Sequence, residues 1–143
     1  MGVKTLKILS MIILAVIIAA VLPDCGKGEP TEKTGEPEYA DAITENILQA
    51  FNSGDYTAYS EYFDEAMKKA VPKAAFEMTC TQIQESFGNY ISKEFSSVEL
   101  NVQNIYTAVF YKARFSKKPD GINVKVVFLE TDNGVFVSGL WFQ

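Results

Sequence analysis

The sequence predicts an α+β fold, with three N-terminal helices packed on an antiparallel four-stranded sheet. Apolar residues recur at three- and four-residue steps from Tyr39 to Phe87, then at two-residue steps from Phe95 to the end. Gly88 stands near the change of period. Short turn sequences separate the later segments, and short connections make neighbouring strands antiparallel. Helices first and strands after place the helices together on one sheet face.

Each element has its own signal. Tyr39, Ile43, Ile47, Ala50 and Phe51 form one stripe, which predicts a helix over about Glu38–Asn52 that ends at Gly54. Asp55 then caps a second helix carrying Tyr56, Tyr59, Tyr62, Phe63, Ala66, Met67 and Ala70. Pro72 breaks that pattern, and a third helix runs from about Lys73 to Phe87. In Phe95–Val102, Val98, Leu100 and Val102 share a face. Tyr106–Phe115 sets Val109, Tyr111, Ala113 and Phe115 on one face and Tyr106, Ala108, Phe110, Lys112 and Arg114 on the other. Lys117–Gly121 reads as a turn, Ile122–Thr131 as a strand, Asp132-Asn133-Gly134 as a hairpin turn and Val135–Phe142 as the last strand.

The chain has 143 residues, room for one ordinary domain, and its ten Phe and seven Tyr can build a core. The net charge is −5, and Lys4 and Lys7 fall in the N-terminal segment, so the rest is more acidic still. Phosphate backbones repel such a surface, which argues against nucleic acid as a partner.

The first 24 residues read as a signal peptide or signal anchor. Lys4 and Lys7 precede Ile8–Leu22, fifteen residues that are apolar except for Ser10. As a helix this run spans about 22 Å, short of a hydrocarbon core of about 30 Å. Leu22-Pro23-Asp24-Cys25-Gly26 resembles the lipobox of prokaryotic lipoproteins, whose Cys becomes a lipidated N-terminus. Leu22, Cys25 and Gly26 fit; Pro23 and Asp24 depart from the pattern. Three outcomes stay open: lipidation at Cys25, an uncleaved anchor, or cleavage and release. The first two hold the domain on the outer face of a membrane. Residues 25–37, rich in Gly, Pro and mixed charge, read as a flexible tether, and 38–143 as the single domain.

With no His and only two Cys, the chain lacks the commonest metal ligand, Cys-His dyads and Ser-His-Asp triads. Cys80 lies on the helical stripe Phe76-Cys80-Ile83-Phe87 and reads as a small buried hydrophobe. No cofactor, metal or catalytic residue is expected.

Three stretches carry a family resemblance: Ala50-Phe51-Asn52-Ser53-Gly54-Asp55-Tyr56 between the first helices, Phe110-Tyr111-Lys112-Ala113-Arg114-Phe115, and Val137-Ser138-Gly139-Leu140-Trp141-Phe142. From about Glu38 to Phe142 the chain resembles a domain-of-unknown-function family of exported bacterial and archaeal proteins. That family is similar to the nuclear transport factor two-like, cystatin-like cone superfamily. The resemblance implies a curved, cone-like sheet around the helices with a pocket between them.

Aromatic residues of the sheet and second helix are the candidates to line such a pocket. Tyr106, Phe110, Lys112 and Arg114, with Tyr62 and Trp141, form the candidate ligand-binding set. Three functions compete: a tethered module binding a small molecule or peptide, an interaction domain dimerising through its sheet face, and a His-free isomerase or hydrolase.

Overall fold

The computed structural model describes residues 35–100 and 105–143. The signal segment, Cys25 and nearly all of the tether lie outside the described residues, as does Val102.

Helix α1 (Glu38–Ser53) buries Ala40, Ile43, Ile47, Leu48, Ala50 and Phe51, one continuous face at helical spacing. Glu38 and Asp41 favour its N-terminal dipole. Gly54, at φ 66°, takes the left-handed conformation that closes the helix. Asp55 then caps α2 (Tyr56–Ser60), accepting from the amides of Thr57 and Ala58.

The single second helix expected from the sequence is two. α2 stops at Ser60, and α3 (Glu65–Ala70) begins after Asp64, which caps it by accepting from the Met67 amide. The break is tertiary in origin. Phe63 forms a parallel bridge with Val137 of the last strand. The Val137 amide donates to the Tyr62 carbonyl at 2.6 Å, and the Asp64 amide to the Val137 carbonyl at 3.1 Å. A continuous helix would spend those backbone groups on itself. α4 (Lys73–Ser86) buries Phe76, Cys80 and Ile83, as the stripe predicts.

Strands β1 (Tyr90–Leu100), β2 (Tyr106–Phe115), β3 (Lys118–Thr131) and β4 (Gly134–Phe142) form one antiparallel sheet in chain order. This is the predicted α+β class. One turn moves: Phe115 pairs with Lys118, so Ser116-Lys117 is the hairpin turn and Lys118–Gly121 belongs to β3. Pro119 and Gly121 instead mark an irregularity opposite Arg114, where a residue without an amide proton and a glycine at φ 78° are accommodated. Further register shifts interrupt β1 at Tyr90/Ser92 and Phe95/Ser97, and the β3–β4 pair at Val127/Phe128.

The inner sheet face carries Val98, Val109, Tyr111, Ala113, Phe115, Val124, Val126, Phe128 and Val137, all buried. Against it pack Phe51, Tyr59 and Phe76, with Tyr59 and Phe76 ring centroids 4.4 Å apart. Interlocked rings fill the space between helices and sheet.

A polar seam joins α1 and Glu36, just before it, to the sheet. Tyr39 donates to Glu130 at 2.6 Å, Tyr90 to Glu45 at 2.6 Å, and Tyr111 to Glu36. The Lys93 side chain is only 4% exposed; it meets Asp41 and, at 3.3 Å, Glu45. Its ammonium also sits 5.1 Å from the centre of the Tyr111 ring.

Candidate functional site

The sequence-derived site residues divide between two places. Tyr106, Phe110, Lys112, Arg114 and Trp141 project from the sheet face turned away from the helices. Tyr62 does not join them: it lies in the link between α2 and α3, at the β4 edge, packed against the core. Between the helices and the inner sheet face the protein's own aromatics pack against one another. Of those, Tyr59, Phe63, Tyr111 and Phe128 are buried core.

Strand register arranges the outer face in rows across the sheet. Phe110 pairs with Lys125, and Lys125 with Trp141. The next row is Ala108, Val127 and Gly139, with Glu99 on β1. The third is Tyr106, Leu129 and Phe136. Two ridges of large side chains therefore flank a row of small ones. The resulting depression, about 280 Å³, is lined by Glu99, Tyr106, Ala108, Lys125 and Val127.

Lys125 holds the first ridge together. Its ammonium lies 5.5 Å from the centre of the Phe110 ring and 5.6 Å from that of Trp141, close enough for cation–π attraction to both. Trp141 folds back over Gly139 and remains 48% exposed. Lys112 lies in the same manner over Gly121, whose missing side chain leaves space for the lysine stem.

Charge on this face is mixed. Arg114 pairs with Glu94 at 2.9 Å across β1 and β2, both ends exposed. An arginine already matched to a carboxylate is a weaker anion receptor than an unpaired one. Sequence reasoning misses Lys125, Leu129 and Phe136, although their strand parity carries the signal: each pairs with an outward residue of the neighbouring strand.

The titratable groups gather elsewhere, along the α1 seam. Burial pushes Tyr39 up to about 12, helped by its bond to Glu130. Burial and Glu45 raise Tyr90; burial and Glu36 raise Tyr111. Burial also acts to raise Glu45, but the bonds from Tyr90 and Gln49 and the charge of Lys93 outweigh it and hold the carboxyl below its usual value. Cys80 is raised by burial and by Glu77. Phenols held protonated beside a carboxylate held ionised are suited to tying a helix to a sheet. A general acid needs a raised carboxyl, and a nucleophile a lowered thiol. Among the described residues, no group of three or more His, Cys, Asp or Glu is placed to hold a metal ion, and no helix is long and apolar enough to cross a membrane.

A family model described as "Protein of unknown function (DUF3887)" matches residues 44–133, from the middle of α1 to the β3–β4 turn. No curated protein and no solved structure matches the chain.

Proposed function

The chain belongs to the DUF3887 family of proteins of unknown function, and from that premise we propose that it is a non-enzymatic interaction domain, tethered at the outer face of a membrane, that pairs with a second copy through its outer sheet face. One observation carries the reading. Phe110, Lys125 and Trp141 in one row, and Tyr106, Leu129 and Phe136 in another, set two mainly apolar rows on the outer sheet face, with none of the described helices over them. A sheet covered on one side ordinarily turns polar residues outward.

The area suits a second copy. Four strands about 4.8 Å apart and about nine residues long present roughly 600 Å², so a pair buries about 1,200 Å², just above what a specific interface needs. The charges suit it as well. Beyond the internally matched Glu94 and Arg114, Glu99 stands on β1 with Lys112 on β2 and Lys125 on β3, so the face offers both signs to its own image. The filled helix–sheet interior favours this reading over a ligand enclosed within a cone.

The membrane address rests on the sequence: the basic start, the apolar run Ile8–Leu22, Cys25 in its lipobox-like setting, and the polar tether. Kinship with the cone superfamily is supported by helices on one face of a sheet whose strands carry repeated bulges, the device that bends strands. The test is mass in solution against concentration for residues 35–143 and for a Trp141→Glu variant. A mass that rises to twice the monomer in the parent and stays monomeric in the variant supports the interface.

A further inference from the structure

A concavity lies away from the outer sheet face, between the C-terminal half of α1, the start of α2 and the start of β1. It measures about 470 Å³. Three amide side chains line it. Asn46, Gln49 and Asn52 recur every third residue, so the row runs along one side of α1 for about 9 Å, the length of roughly three extended residues.

Their hydrogen bonds show what they can still offer. Both Asn46 N–H groups are used, on the Ala58 carbonyl at 3.0 Å and Glu61 at 3.2 Å, leaving its oxygen as acceptor. Gln49 donates once, to Glu45 at 2.8 Å, keeping one N–H and its oxygen. Asn52 accepts from the Tyr90 amide at 2.8 Å and donates to the Tyr90 carbonyl at 2.9 Å. It thus occupies both main-chain groups of the edge strand, as a neighbouring strand would. Directly after Tyr90, the β1 register shift pushes Ile91 out at the rim, 64% exposed. Bulges commonly re-aim a side chain beside a functional site.

We propose that this groove docks an extended, neutral or basic peptide segment. The Asn46 oxygen and the spare N–H and oxygen of Gln49 can pair with a main chain along α1, and Ile91 with Ala58 offers an apolar side chain somewhere to rest. The only charged lining residue is Asp55, which is committed to capping α2. A saccharide would ordinarily need an open aromatic ring to stack on, and the one ring here, Tyr90, is 5% exposed. The site is separate from the outer-face interface, so a pair of copies would carry two grooves.

The test selects a phage-displayed library of random dodecapeptides on the full chain in detergent micelles, then measures the enriched peptides by fluorescence anisotropy. Gln49 and Ile91 are exposed, so Gln49→Ala and Ile91→Asp variants keep the fold, which thermal melts verify. Each is expected to weaken binding about tenfold or more, about 1.4 kcal/mol, while Trp141→Ala leaves it unchanged. Failure to enrich any sequence, or equal binding by both groove variants, overturns the proposal. Binding of maltohexaose or cellohexaose that is lost in the groove variants, with no peptide enriched, also overturns it and reassigns the groove to saccharide. Self-association of the parent is measured separately, so loss of peptide binding and loss of pairing stay distinguishable.

Discussion

Trp141 lies so closely over Gly139 that a side-chain carbon at position 139 would come within 2.1 Å of the indole. The two residues are two apart on one strand face, so the missing side chain of one is the resting place of the other. Trp141 is the only tryptophan in the chain, so its emission reports directly on the outer sheet face.

Gly139→Ala should therefore expel the indole. The expected result is a red-shifted emission and a stability loss of about 1–3 kcal/mol, typical of overpacking. Fluorescence spectra and urea melts check both. An unchanged spectrum would mean that the ring does not rest on Gly139.

Much of this architecture is legible in the chain because the signals are local. Asp55 caps because its carboxylate reaches amides two and three residues ahead, and Gly54 ends α1 through its own φ. The division of α2 from α3 is not local: it follows from the pairing of Phe63 with Val137, 74 positions later. Pro119 and Gly121 announce a break in regular pairing, but whether it is a turn or a bulge depends on the partner strand. Parity placed Tyr106, Phe110, Lys112 and Arg114 together. With apolar residues on both faces, parity could not say which face the helices cover.

The aromatic core should be unforgiving. Phe51 is buried and packs against Tyr59, Phe76 and Phe142 with ring centroids 5.1 to 5.6 Å apart. Phe51→Ala is expected to cost about 3–5 kcal/mol, measured by chemical denaturation. A cost below 1 kcal/mol would indicate a loosely packed interior.

Acid should loosen the α1 seam. The folded Glu45 carboxyl is held below its ordinary value of 4.5. Its contribution is then complete above that value and is lost as pH falls through the folded one. Stability should decline as pH drops below about 4.5, and Glu45→Gln should flatten that decline. Urea midpoints across the acid range test it; identical acid limbs would remove Glu45 from the seam.

Alkali acts in the opposite sense on the phenols. Tyr39 and Tyr59 are pushed up to about 12, and Tyr90 and Tyr111 are raised as well, from an ordinary 10.0. Their contribution is present below 10 and is lost as pH rises through the folded values. An ultraviolet titration should show four of the seven tyrosines ionising late in the folded protein and with the rest in denaturant. Seven coincident phenols in the folded state would contradict the seam.

Sedimentation equilibrium of residues 35–143, from about 1 to about 500 µM, decides whether the outer sheet face pairs, because an interface near 1,200 Å² gives a concentration-dependent pair. The mass should rise to twice the monomer, with a blue shift of Trp141 emission along the same curve, and the Trp141→Glu variant should stay monomeric. A monomer at every concentration, or a dimer indifferent to Trp141→Glu, would contradict that pairing.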